Sequence, residues 1–462
     1  MKTTIWGKIV SFAAILMILL MPISGTSAAA NTAPDWMSNE DLAQRLNAIE
    51  EASNGNVEVT VMGQTSQGND IYAARVGTGK QVLMINGNIH GNEKSGPEAV
   101  VSLLETLAGD SAFAKSVRDK LTIVAVPRFN PDGAALTQRQ NVFPWQEVIA
   151  TYPQLENSAP AWYYNARNSG FDVNRDFSAD LNYVPRAEDF PGTDLDPGFF
   201  ITSESQALRD LYLDLKVEFG HVEAFVDLHH MGTPVTNKTG EPATIAIDYP
   251  PLGPADSGKY DEWALLDQEK SKRYALAAAL GVKELSDQEE NGVVQYVHFQ
   301  ERDYPGQARS AFALNGTASV LFEMPGQQPQ VGYDQALIDR VENGLWGIIN
   351  RMVDGSIDEL NSNDFLEIPK YWTDNTTDMK DLIGLYTKQG AINTASASRI
   401  LANQLAVLEQ FENAGNAEKM VKHLESFKTV LSHYRQQGVV TSAVYNRLNG
   451  DANLLLNRWN SK

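Results

Sequence analysis

The spacing of apolar residues changes twice along the chain. Residues 9–23 form one apolar stretch broken only by Ser11 and Pro22. From 31 to about 350, short apolar-rich runs recur at 82–85, 121–126, 224–228 and 319–322. Runs of this length predict strands buried within a sheet. Between them, 96–108 and 203–219 read as helices. Strands alternating with helices predict an α/β domain: a mixed, largely parallel sheet with flanking helices. Two stretches, 178–197 and 231–261, read as irregular loops. Residues 353–377 are polar and turn-rich and read as a linker. Beyond them the pattern is helical only, at 379–389, 396–413, 417–436 and 442–459. Ile400, Leu401, Leu405, Leu408 and Phe411 make one apolar stripe; Met420, Val421, Leu424, Phe427, Leu431 and Tyr434 make another. Such stripes demand partners, so residues 378–462 are expected to close into an all-α helical bundle. Gly438 followed by Thr441 and Ser442 reads as a helix stop and a new cap.

The first apolar stretch changes the picture at the N-terminus. Lys2 and Lys8 precede it, and Ala28-Ala29-Ala30 follows. Residues 1–30 are therefore expected to be a cleaved signal peptide, and the protein to be secreted, with no membrane attachment after cleavage. Domains are expected at 31–352 and 378–462, joined by 353–377.

Charge supports that division. The chain carries 37 basic and 58 acidic residues, a net of −21. Residues 368–462 hold 11 basic and 8 acidic residues, a net of +3, so the acidic excess lies wholly in the first domain. So negative a chain is a poor nucleic-acid ligand, because phosphate contacts need clustered Lys and Arg. It slightly favours basic or neutral substrates by steering. The positive balance of the helical unit suits contact with an anionic cell wall. There is no cysteine. Thiol catalysis and Cys-ligated metals are excluded, so a metal must be held by His, Asp or Glu.

Four short segments carry candidate chemistry. The run 82–87 leads into a loop bearing His90 and Glu93, an imidazole and a carboxylate three residues apart. The run 224–228 ends in His229-His230 after Asp227. A catalytic zinc needs three protein ligands and an open position. His90, Glu93 and either His229 or His230 complete such a set at strand ends, where α/β sheets bind ligands. Glu323 directly follows the run 319–322, where a carboxylate is costly unless it is used, and suits a general base. In 165–177, Arg175 and Asn174 suit a carboxylate, and Arg167 suits a developing oxyanion. The acidic loop with Asp189, Asp194 and Asp196 is a weaker candidate for calcium, with no EF-hand spacing.

These pieces, in this order, together with the 63–72 segment and Asn130-Pro-Asp-Gly133, resemble the zinc carboxypeptidase family, the carboxypeptidase A-like metallocarboxypeptidases. The resemblance covers about 35–350. It implies one Zn²⁺ on His90, Glu93 and His229, the His₂Glu set of carboxypeptidase A itself. It further implies Asp172 orienting His90, Asn174 and Arg175 on the substrate's C-terminal carboxylate, Arg167 at the scissile carbonyl and Glu323 as general base. A clamp tyrosine is also implied; Tyr304 stands at a suitable distance before Glu323, with Tyr249, Tyr260 and Tyr296 as rivals. The 63–72 segment corresponds to an opening hairpin. Residues 378–459 resemble the FIMAH helical domain. The expected partner is a peptide with a free C-terminal carboxylate. Alternatives are a zinc-dependent cell-wall (murein) peptide hydrolase on the same fold, a deacylase of small N-acyl amino acids, and a non-catalytic peptide or cell-wall binding module.

Overall fold

A computed structural model describes residues 35–460, apart from 232–242, 254–257, 287–291, 297–302, 327–331, 371–374 and 389. The expected signal peptide lies outside the described residues, as does His298. No helix among the described residues is long and apolar enough to cross a membrane.

Ten strands form: β1 (Val57–Gln64), β2 (Asp70–Val76), β3 (Gln81–Gly87), β4 (Leu121–Val126), β5 (Tyr164–Asn165), β6 (Gly170–Phe171), β7 (Ala224–Met231), β8 (Ile245–Asp248), β9 (Val293–Gln295) and β10 (Ala318–Pro325). Eight of them make one sheet in the order β1-β2-β4-β3-β7-β10-β8-β9; β5 and β6 form a separate small hairpin. The central strands β4, β3, β7 and β10 run parallel, as do β8 and β9. The pairs β1–β2, β2–β4 and β10–β8 are antiparallel. The sheet is thus mixed with a parallel centre, as the four apolar runs predicted. β4 and β7 are buried along their whole length, because both sheet faces are covered.

Alternation along the strands divides the core in two. Leu83, Ile85, Val226, Leu228, Val320 and Phe322 pack toward a layer built mainly by α1 (Asn39–Ala52), α2 (Ser95–Ala108), α7 (Gln268–Leu285) and α9 (Gln335–Asp354). Val82, Met84, Val124 and Phe225 pack on the other face, toward α6 (Ser203–Phe219), α8 (Ala308–Leu314) and Phe129, Phe177 and Phe200. α7 and α9 touch through glycines. A Cβ on Gly281 would stand 2.4 Å from Gly347 Cα, so the two backbones approach where no side chain fits.

Two expectations change. Strand β8 lies inside the stretch read as irregular from 231 to 261; four residues are too short to show a pattern. Residues 353–370 are not a free linker. α9 runs to Asp354, and two 3₁₀ turns follow at Ser356–Glu359 and Ser362–Glu367. Ile357, Phe365 and Ile368 are buried in the same core as the sheet. Gln295 Nε2 donates to the carbonyls of Leu366 (3.1 Å) and Ile368 (2.6 Å). Three apolar anchors were hidden by the polar residues around them. Beyond them, α10 (Thr376–Lys388), α11 (Ala395–Asn413), α12 (Ala417–Gln436) and α13 (Ser442–Asn460) share a core of their own, centred on Leu401, Leu405, Leu408, Met420, Leu424, Phe427 and Leu431. The two stripes read from the sequence are its facing sides, apart from Ile400, which is exposed.

One buried acid sets a pH dependence. Glu204 lies in the first turn of α6, 1% exposed, and accepts from Asn141 Nδ2 at 3.0 and 3.1 Å. Burial pushes its pKa from 4.5 up to about 7. A raised carboxyl pKa means that the folded state holds the proton more tightly. The associated stability is complete below pH 4.5 and is lost as pH rises through about 7. Glu204→Gln removes the titration, so the variant is expected to exceed wild type above pH 7 by about 3 kcal/mol, and by little near pH 4.5. Denaturant unfolding of both proteins at pH 5 and pH 8 measures the difference.

Candidate metal centre and active site

The site is assembled at the carboxyl ends of β3, β7 and β10. After β3, Asn88 adopts a left-handed backbone (φ 60) and its Nδ2 donates to the carbonyls of His90 (2.7 Å) and Glu93 (2.6 Å). This closes a tight loop that turns both side chains inward. On β7, alternation sends Phe225, Asp227 and His229 to one face and His230 to the other. On β10, Glu323 is in register with His229, so the two share a face on neighbouring parallel strands.

Three ligand atoms converge. His90 Nδ1 stands 2.9 Å from Glu93 Oε1, His229 Nδ1 stands 2.9 Å from Glu93 Oε2, and the two Nδ1 atoms are 3.1 Å apart. All three residues are buried. Zinc bonds of about 2.0–2.1 Å at tetrahedral angles separate ligand atoms by about 3.3 Å, so this cluster fits the ion in donor type and spacing. Among the described residues, no other His, Asp or Glu group converges in this way.

The remaining ring atoms are also held. His90 Nε2 lies 3.1 Å from Asp172 Oδ1, the orienting contact expected of Asp172. His229 Nε2 lies 2.9 Å from Asp227 Oδ2, a close charge contact rather than an aligned hydrogen bond, and 3.1 Å from Asn174 Nδ2. Asn86 Nδ2 donates to Asp227 Oδ1 (3.1 Å) across the β3–β7 pair, fixing that carboxylate. Burial lowers the His229 pKa, but Asp227 and Glu93 outweigh it and push it up to about 10. Burial raises the Glu93 carboxyl, yet His90 and His229 hold it well below the usual carboxylate range. The carboxylates of Asp227 and Glu93 therefore favour positive charge at His229, which a metal ion would supply in place of the imidazole proton.

His230 is not a ligand. Its Nε2 accepts from Ser95 N (3.1 Å) and faces Ser95 Oγ at 2.6 Å, tying β7 to the start of α2. The choice between the two adjacent histidines, open in the sequence, is decided by which face of β7 each occupies.

Glu323 is 9% exposed, and its Oε2 has no hydrogen-bond partner. Burial pushes its pKa up to about 8, with the positive field of His229 opposing. Asn174 Oδ1 accepts from Ala308 N (3.1 Å), and Arg175 Nη1 donates to the Asn174 carbonyl (2.7 Å). The Arg175 guanidinium lies over the Tyr304 ring, 5.2 Å from its centre. Asn174, Arg175 and Tyr304 are therefore grouped together.

Arg167 is placed differently from the expectation. It is exposed on the turn between β5 and β6, and among the described residues its side chain hydrogen-bonds to none of the cluster. Arg139 occupies the site instead. Its Nε and Nη2 donate to Asp172 Oδ2 at 3.0 and 2.9 Å. Its Nη1 lies 3.2 Å from His90 Nδ1 and 3.9 Å from Glu93 Oε1. The 142–166 segment separates Arg139 from Asp172 in sequence, whereas Arg167 is only five residues from it. On the reading that the oxyanion role expected of Arg167 falls to Arg139, Arg139→Ala is expected to lower kcat about 10²–10³-fold and Arg167→Ala to leave it within about twofold. Steady-state kinetics of the two variants checks this.

Among the described residues, Asp189, Asp194 and Asp196 of the acidic loop do not converge as a ligand group. Asp189 accepts from Tyr183 Oη (2.6 Å) and Arg186 Nε (2.9 Å), and Asp196 Oδ2 accepts from the backbone N–H (2.8 Å) and hydroxyl (2.8 Å) of Thr193.

Residues 42–328 match the family model for zinc carboxypeptidase. The chain belongs to the zinc carboxypeptidase family. Residues 376–457 match the FIMAH domain, which is the four-helix unit. Carboxypeptidase 2 of Trichophyton tonsurans is 38% identical over 57 residues, 12% of this chain and 11% of that protein. The match thus spans about a tenth of the length of these curated relatives. Among solved structures, carboxypeptidase A from Helicoverpa armigera aligns at 16% identity over 70% of this chain and 74% of that one, with a TM-score of 0.46. A metallo-carboxypeptidase from Burkholderia cenocepacia aligns at 17% identity over 68% and 69%, with a TM-score of 0.42.

Proposed function

We propose that this zinc carboxypeptidase family member is a secreted metallocarboxypeptidase that hydrolyses the last peptide bond of its substrates. The observation that carries the reading is the convergence of His90 Nδ1, Glu93 and His229 Nδ1 beside Glu323, with Arg139 against the cluster. His90, Glu93 and His229 would hold the zinc. When bound, the ion lowers the pKa of a coordinated water and polarises the scissile carbonyl.

The chain's own residues supply the rest. Glu323 takes a proton from the attacking water and later delivers it to the leaving amine, so the carboxylate is regenerated. Its buried, unpartnered Oε2 suits that exchange. Arg139 Nη1 donates to the carbonyl oxygen as negative charge develops there, while Asp172 holds the guanidinium by its other two nitrogens. Asn174 and Arg175 bind the terminal carboxylate, which positions the last bond rather than an internal one. Tyr304, under Arg175, covers the same subsite. The 1–30 pattern supports export, and the +3 balance of the helical unit supports contact with an anionic cell wall.

Mass spectrometry of a mixed peptide library tests this. The zinc-loaded protein is expected to shorten peptides stepwise from the C-terminus, with no loss in a chelator control. Internal cleavage, or an unchanged library, would overturn the reading.

A further inference from the structure

Arg309 is a buried cation near the site, and nearby carboxylates act on it without reaching ion-pair distance. It lies in α8 and is 3% exposed. Its Nε donates to Gln307 Oε1 (2.8 Å) and its Nη1 to the Tyr249 carbonyl (3.1 Å). Among the described residues no carboxylate comes within ion-pair distance of it, and Nη2 makes no hydrogen bond. A buried guanidinium in that state is costly unless a ligand completes it. Its position is fixed by its neighbours. Ala308 N, one residue away, donates to Asn174 Oδ1, and Asn174 Nδ2 lies 3.1 Å from His229 Nε2. The carboxylates of Asp248, Asp227 and Glu323 are near enough to oppose the lowering of its pKa by burial. Arg309 thus lies close enough to Glu323 for their charges to interact, and Asn174 links its helix to Arg175.

We propose that Arg309 reads the side chain of the substrate's last residue and that the enzyme prefers an acidic one, glutamate or aspartate. The proposal rests on the carboxypeptidase reading above. Such a residue carries two carboxylates, and the site offers two guanidiniums: Arg175 for the main-chain carboxylate and Arg309 for the side chain. Two parallel N–H···O bonds to a desolvated carboxylate give both energy and geometry. The chain's overall negative charge acts against anionic substrates at long range, but salt screens it beyond about 8 Å. Within the pocket, the contacting group decides.

The test uses the zinc-loaded full chain and peptides differing only in the last residue: Glu, Asp, Gln, Leu or Lys. Wild type is expected to favour Glu or Asp in kcat/KM. Arg309→Met is expected to lower the Glu or Asp value about 100-fold while leaving the Leu value within about threefold, and Arg309→Lys to fall between. A wild type that prefers Leu or Lys overturns the proposal, with no variant needed. An equal loss on every substrate in Arg309→Met also overturns it, since an arginine that only balances nearby acids would act so. Calorimetry with N-acetylglutamate and N-acetylleucine separates this proposal from the peptidase reading. If no peptide is trimmed but N-acetylglutamate binds more tightly, and Arg309→Met removes that preference, the pocket stands and the peptidase reading falls. Equal binding of the two overturns the pocket.

Discussion

Glu323→Gln is expected to lower kcat by about 10³-fold or more while the protein still binds one zinc per chain. The amide keeps the shape of the carboxylate but cannot accept the water's proton. Glu323 sits opposite His229 in the β7–β10 register, yet it is not in the converging ligand group. Its removal should therefore spare the metal. KM should change little, because the terminal carboxylate is assigned to Asn174 and Arg175. Stopped-time product assays paired with metal analysis of the same sample separate the two effects. A variant that loses zinc would make Glu323 part of the metal site. One that retains activity would remove it from the chemistry.

The second large effect concerns two adjacent histidines. His229→Ala is expected to weaken zinc binding by more than about 100-fold, beyond the usual loss for a contact outside the ligand set. His230→Ala is expected to keep zinc but to unfold more readily, by about 1–3 kcal/mol, because it leaves the Ser95 N–H and hydroxyl without their acceptor. The ordering follows from strand geometry alone: neighbours on β7 face opposite ways. Competition with a chelator of known affinity gives the first number, and denaturant unfolding of the metal-free proteins gives the second. Equal loss of zinc in both variants would contradict the assignment.

These histidines show how far the sequence could be read. The apolar runs located β3, β4, β7 and β10, because a strand covered on both faces is nearly continuous in its apolar residues. The same continuity removes the alternation that would assign a face. His229 and His230 therefore stayed equivalent until packing separated them, and resemblance alone favoured His229. His90 and Glu93 were legible because a single tight loop carries both. Asp172 was legible as the neighbour of His90, and Asn174 and Arg175 follow it closely in the same short segment. Arg139 was not, since its pairing with Asp172 closes over the 142–166 segment and no local spacing encodes it. Asp227 was visible as a residue but not as the partner of His229 Nε2, a contact set by the pleat and by Asn86 on the neighbouring strand. Arg309 carried no signal, because a buried arginine in a short helix looks like any surface cation in sequence. The segment 353–370 misled for the opposite reason: its composition is that of a linker, while Ile357, Phe365 and Ile368 dock it on the core.

The central claim is that this cluster, with zinc, cuts the bond next to a free C-terminal carboxylate. The most direct measurement follows one peptide by mass spectrometry in two forms, free acid and C-terminal amide, with metal-free protein before and after one equivalent of zinc. The account predicts loss of the last residue from the free acid only, and only after zinc is added. Cleavage of the amide at a comparable rate, or of the free acid by the metal-free protein, would contradict it.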